Sequence, residues 1–364
     1  MKLFLKILFR KNRRIVVKPQ NNSGIILIIV LWIMVILSLL AVGLSRKVKV
    51  DLTLTKYAIG KMKSRYITMA GLTYAMGQIK KDNKDPTTAT VDTKYQCGFS
   101  KDNQTVEDLF EKKAVGDGYF IINYRVPDDK MTFYGFEDEE SKINLNALNS
   151  GNYNILTYLI SELGFENVAD SISSSVVDWI DADNDVFNSP AGAEDEEYQG
   201  RPTPYHCKNK PFDSIEELLL VKEMTPEIFK KIKNYVTVFP RQGNLAVNFN
   251  TASEAVLKAI GRSVSGAQRA SISDTDNLVE RFISYRRGDD GQWPSEDDRV
   301  IDGNKMGLNE FESGILGAMS QNRTQVSNYL RVHVKGVDEV SAVSTYITAV
   351  IQRSDLSVLS WHRD

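Results

Sequence analysis

Residues 25–44 read IILIIVLWIMVILSLLAVGL, an uncharged apolar run that decides the architecture of the chain. A helix rises about 1.5 Å per residue, so roughly 20 such residues match a hydrocarbon core of about 30 Å. Ahead of the run lie Lys2, Lys6, Arg10, Lys11, Arg13, Arg14 and Lys18, with no acid among them. By the positive-inside bias this leader stays in the cytoplasm, and everything after residue 44 lies on the other side of the membrane. A cleaved secretory signal has a shorter apolar region of about 7–15 residues ending at a small-x-small site. Here the run continues into Ser45-Arg46-Lys47 instead.

The run begins at the junction Asn22-Ser23-Gly24-Ile25. A basic leader ending in Gly before an unbroken apolar helix resembles the prepilin-type signal of type IV pilins and pseudopilins. The resemblance implies cleavage by a prepilin peptidase between Gly24 and Ile25 and methylation of the new amine. Most members of that family carry Glu at the fifth mature position, where this chain has Ile29. An unpaired carboxylate in hydrocarbon is expensive, and in such filaments it neutralises the amine of a preceding subunit. A subunit without a predecessor needs none, and the minor pseudopilins of the general secretion pathway protein K family lack it.

The apolar spacing continues past the membrane through Val48, Leu52, Ile59, Met62, Tyr66, Met69, Leu72, Met76 and Ile79. No Pro interrupts it before the breaker cluster Asp82-Asn83-Lys84-Asp85-Pro86. One long helix is expected, as the spine of a pilin-like subunit or as a membrane anchor leading into a coiled-coil stalk. Beyond it, Tyr119–Val126, Tyr329–Val337 and Val343–Arg353 have the aromatic and β-branched content of strands, the last two forming a hairpin around Asp338-Glu339. Between them Tyr153–Leu163, Val168–Trp179, Ser214–Val221, Pro226–Val236 and Ser253–Ala259 read as helices. The expected class is α+β: a transmembrane and spine helix, a pilin-like antiparallel sheet, and a large inserted α-helical domain. The boundaries follow as leader 1–24, membrane helix 25–44, helix continuation 45–82, sheet domain 83–142 with 322–364, and insertion 143–321.

One pattern occurs twice, as Ile143-Asn144-Leu145-Asn146-Ala147 and as Val247-Asn248-Phe249-Asn250-Thr251-Ala252. Each places an Asn where it can cap a following helix. The second also resembles the opening of helix-hairpin-helix DNA-binding modules, the alternative reading of the chain. With 45 Lys and Arg against 47 Asp and Glu, no basic excess supports phosphate binding, and no nucleic-acid partner is expected. The two cysteines, Cys97 and Cys207, exclude a disulfide framework but allow one bridge in an oxidising compartment.

The strongest charge feature is acidic. Residues 178–198, DWIDADNDVFNSPAGAEDEEY, crowd Asp178, Asp181, Asp183, Asp185, Glu194, Asp195, Glu196 and Glu197 into one loop. Such crowding is unfavourable unless the carboxylates stay solvated or share a cation. The Asp181-x-Asp183-x-Asp185 alternation offers the oxygen ligands Ca²⁺ prefers, although Val186 and Gly192 replace the turn Gly and bidentate Glu of an EF-hand. A solvated loop without metal fits the same residues.

The runs INLNAL (143–148), VVDWIDADND (176–185), GAEDEEY (192–198), KNKPFDSIEELLLVKEMTPEIF (208–229) and VNFNTA (247–252) together resemble the protein K family of type II secretion over nearly the whole chain. The resemblance implies calcium bound by the acidic loop, with Asp181, Asp183, Asp185, Glu194, Asp195 and Glu197 as candidate ligands. It also implies a pseudopilus-tip complex with minor pseudopilins I and J, anchored in the inner membrane, with secreted proteins as further contacts. Enzyme chemistry finds no footing: His206, His333 and His362 stand in unrelated contexts, without a nucleophile elbow or phosphate-binding loop.

Overall fold

The computed structural model describes residues 23–86, 88–94, 105–125 and 132–363. The basic leader up to Asn22, the last residue of the expected strand Tyr119–Val126, and Cys97 lie outside the described residues. The described residues fall into two units, one ending at Ile59 and the other beginning at Gly60.

Helix α1 runs from Ser23 to Asp82 without interruption. Its part in the first unit is exposed from Gly24 to Ile59, and the stretch 25–44 is apolar on every side. Such a helix suits hydrocarbon rather than water, and by length and composition it can cross a membrane.

In the second unit, Gly60–Asp82 of α1 packs on an antiparallel sheet. Its strands are β1 (Lys113–Val115), β2 (Gly118–Arg125), β3 (Thr132–Tyr134), β4 (Glu137–Asp138), β9 (Tyr329–Asp338), β10 (Val343–Gln352) and β11 (Val358–Arg363), in the order β1-β2-β9-β10-β11. Strand β3 pairs with β2 and β4 with β9. The four strands missing from this count, β5 (Ile143–Asn144), β6 (Val236–Thr237), β7 (Val247–Asn248) and β8 (Arg323–Thr324), belong to the helical region.

Burial alternates along β2 and β9, as a half-covered sheet requires. Ile67, Leu72, Ala75 and Ile79 of α1 share a core with Phe120, Ile122, Val332, Val334, Ile347 and Ala349. Two glycines let helix and sheet approach closely. A Cβ on Gly71 would lie 2.5 Å from Val334 Cγ1, and one on Gly336 would lie 2.6 Å from both Ser64 O and Thr68 N.

The second core belongs to helices α3 (Asn154–Glu162), α4 (Glu166–Ile180), α5 (Asp195–Gln199), α6 (Pro226–Ile232), α7 (Glu254–Ser265), α8 (Ile272–Arg286) and α9 (Glu310–Met319), while the short α2 (Val106–Phe110) packs with the sheet. Parallel pairs β5 with β6 and β7 with β8 close two successive segments of this region. The repeated Asn motif opens each segment. Its residues do not cap α-helices as expected. Asn144 accepts from Asn146 N in a 3₁₀ turn, and Asn250 Oδ1 accepts from Ile301 N, while Ser253 caps α7. The Asn side chains are taken up by tertiary bonds, such as Asn146 Nδ2 to the Phe212 and Val238 carbonyls. Of the expected helix Ser214–Val221, Ile215–Leu220 forms a 3₁₀ helix, and the expected helix Pro226–Val236 stops at Ile232 so that Val236 can join β6.

A buried polar seam joins the two cores. Arg353, after β10, pairs with Asp82 at the end of α1 and with Asp92. Asn83 Nδ2 donates to Arg353 O at 2.7 Å, and Asp92 accepts from Ser327 N at 2.6 Å. Asp138 accepts from Thr251 and Ser327, and Glu139 is paired with Lys142 and Arg331.

Candidate metal centre

Helix α4 carries Val176, Val177 and Trp179 into the core and ends at Ile180, so the acidic loop leaves a fixed point. Asp178 is wholly buried and turned back into the loop. Its carboxylate accepts from Phe187 N at 2.8 Å and from Ala193 N at 2.6 Å, tying the two ends of residues 187–193 together. Lys222 ties the same segment from outside, donating to the carbonyls of Pro190, Ala191 and Gly192 at 3.1–3.3 Å. Asn209 Nδ2 donates to Asp183 O at 2.8 Å.

Held this way, one carboxylate oxygen each from Asp181, Asp183 and Glu194 lie within 4.8 Å of one another. Ligands of one Ca²⁺ at about 2.3–2.6 Å stand at most about 5 Å apart, so the spacing suits a shared cation. The bonding of these oxygens points the same way. Glu194 is only 3% exposed, yet neither of its oxygens receives an N–H or O–H donor and only the weakly donating Cys207 thiol stands beside them, while Asp181 Oδ1 has no partner. Buried carboxylate oxygens without donors are costly unless a cation meets them. Burial, then the charges of Asp178 and Asp181, pushes Glu194 up to about 7. Burial, then Asp183, raises Asp181 to about 6. The donor set is all oxygen, which favours Ca²⁺ over Zn²⁺.

The other candidate ligands are placed elsewhere. Asp195 contacts His206 Nδ1 at 3.0 Å and accepts from Cys207 N at 2.6 Å, and the His206 contact is the main reason its carboxyl is held below the usual range. Glu197 faces Arg201 at 3.7 Å, and Asp185 is exposed, its N–H donating to Asp183 Oδ1 at 2.9 Å. Cys207 is buried, with Sγ 3.5 Å from Asp178 O and its thiol pushed up to about 12 by burial and the Glu194 charge. Sequence reasoning missed the tethers Asp178, Lys222 and Asn209. Asp178 had a signal, an acid flanked by Val177 and Trp179 on an amphipathic helix. The contacts of Lys222 span about thirty residues and had none.

Residues 141–241, which hold this loop, match the family described as type II secretion system (T2SS), protein K. The chain is 31% identical over 153 residues to type II secretion system protein K of Pectobacterium carotovorum subsp. carotovorum, an alignment covering 38% of this chain and 46% of that one. Within residues 141–241 the chain is therefore similar to the protein K family of type II secretion. Protein K of Pseudomonas aeruginosa is 22% identical over 248 residues, 66% of this chain and 68% of the relative. The fold resembles a chain in the crystal structure of the GspK-GspI-GspJ complex from the enterotoxigenic Escherichia coli type 2 secretion system. The TM-score is 0.59 at 17% identity, covering 85% of this chain and 99% of that one. With the Pectobacterium protein K the match spans less than half of the relative's length.

Proposed function

We propose that the chain is a minor pseudopilin of a type II secretion system, a membrane-anchored, non-catalytic subunit that starts and caps the periplasmic pseudopilus. Its partners in this role are minor pseudopilins I and J, and exported proteins meet the assembled tip. The observation that carries the reading is a sheet packed on a long N-terminal helix, with a large helical region between β4 and β9 whose first part matches the protein K family.

Residues 25–44 then anchor the chain once in the inner membrane, N-terminus cytoplasmic, after the peptidase has cut behind Gly24 and Ile25 has been methylated. Ile29 offers no carboxylate to a predecessor's amine, and a helical region of this size hinders the stacking of a further subunit. Both features favour the end of a filament. Calcium held by Asp181, Asp183 and Glu194 neutralises the crowded carboxylates and fixes the loop leaving α4. Immunogold labelling of filaments assembled with an epitope-tagged chain tests the reading: gold at one end supports it, and gold along the whole length overturns it.

A further inference from the structure

Between the sheet and the helical region lies a cavity of about 240 Å³, bordered by Tyr124, Phe136, Lys94, Arg286, Arg287 and Trp293. The acids on its wall have partners already: Glu137 is paired with Lys142 at 2.8 Å, Asp138 accepts from Thr251 and Ser327, and Glu254 is paired with Lys258 at 2.7 Å.

Arg286 is different. It is 3% exposed, and its Nη1 donates to the carbonyls of Phe249 and Ala252 at 3.1 and 2.6 Å. Its Nε has no partner, and no carboxylate among the described residues comes within ion-pair distance of it. Burial pushes Arg286 down to about 9, with Asp298 and Glu254 attracting it only through space and Arg287 repelling it. Buried guanidinium groups are ordinarily met by an anion at hydrogen-bond distance, and Arg286 has none in direct contact. The apolar half of the recognition surface is present too. The Arg286 guanidinium carbon lies 3.9 Å from the centre of the Trp293 ring, and Lys94 Nζ lies 4.1 Å from the same centre.

We propose that this cavity binds a carboxylate carried on an aromatic or apolar group, the carboxylate meeting Arg286 and the apolar part lying against Trp293 and Tyr124. A free small acid and the C-terminal residue of a peptide share this chemistry. The reading is independent of the acidic loop and of the filament role.

The test uses the full chain in detergent, with saturation-transfer NMR and calorimetry. The probes are phenylacetate, its neutral counterpart phenylacetamide, and acetyl-Gly-Phe as free acid and as amide. Binding of phenylacetate or the free-acid peptide, with the neutral counterparts at least about tenfold weaker, supports the proposal and tells which source the cavity accepts. Trp293→Ala, which leaves the Arg286 bonds to the backbone intact, should weaken the bound probe by a similar factor. Arg286→Lys should do the same if it folds. No binding by either acid, equal binding of the neutral counterparts, or undiminished binding by Trp293→Ala overturns it.

Discussion

Replacing Glu194 with Gln separates a metal ligand from an ordinary buried carboxylate, because the two roles predict opposite signs without calcium. Its oxygens have no N–H or O–H partner, so the amide loses at most a weak contact with the Cys207 thiol. The ionised oxygens of Glu194 and Asp181 lie within 4.8 Å, which at an effective dielectric constant of about 20 corresponds to about 3 kcal/mol of repulsion. The pair with the exposed Asp183 is screened and counts for less. At pH 8, where a group titrating at about 7 is mostly ionised, the variant in EGTA should therefore be as stable as the parent or up to a few kcal/mol more stable. With calcium at 100 Kd the parent should gain about 2.7 kcal/mol. At roughly 2 °C per kcal/mol for a unit of this size, that is about 5 °C in melting temperature. Glu194→Gln should lose most of this rise. Scanning fluorimetry of the full chain, in EGTA and in calcium, reads both effects. An undiminished calcium shift in the variant, or a loss of several degrees in EGTA, would refute the assignment.

Three further outcomes follow from the packing and the leader. Burial, then the charge of Asp138, pushes Glu140 up to about 8, and burial raises Asp92 to about 7 against the pull of Arg353. The folded chain thus holds protons that the unfolded chain has released above about pH 4.5, and stability should fall as pH rises from 5 to 8. Urea midpoints should show a shallower fall in Glu140→Gln, and an identical slope would contradict the assignment. Gly336→Ala drives a methyl into Ser64 and Thr68 of α1 and should cost about 1–3 kcal/mol. The control Gly77→Ala, where nothing lies within 4 Å, should be neutral or gain about 0.5–1 kcal/mol in the same denaturation assay. Equal costs at the two glycines would mean that helix and sheet are not in close contact at Gly336. Gly24→Leu should block processing, so that the intact mass retains the leader, whereas the parent should begin at methylated Ile25. A mature parent beginning elsewhere would remove the prepilin reading.

The features read most securely from sequence were those with a single physical cause. The run 25–44 and the helical spacing to Ile79 predicted α1 to within a few residues, since nothing else satisfies twenty uncharged apolar residues followed by a 3.6-residue period. Strands β2, β9 and β10 announced themselves by β-branched content and flanking turns. Strand β11 did not, because all six of its residues are exposed and no in–out pattern marks it. Helices α8 and α9, absent from the expected elements, each carry a capping box, Ser271 with Asp274 and Asn309 with Glu312, and α8 buries Leu278, Val279, Phe282 and Ile283 at helical spacing. The repeated Asn residues misled because a side chain that suits a cap suits a tertiary hydrogen bond equally well. In the acidic loop, composition marked the place but could not choose among the carboxylates. The choice rests on tethers from Asp178, Lys222 and Asn209, which sequence distance hides.

The role proposed for this chain is that of one subunit of a minor-pseudopilin tip. Its most direct test is to mix the mature chain with the I and J pseudopilins of the same secretion system and measure the mass of the product by light scattering after size exclusion, in calcium. A single species with one copy of each subunit, formed by the chain with an intact helical region, is the expected result. Elution of the chain alone, with I and J unassociated, would contradict it.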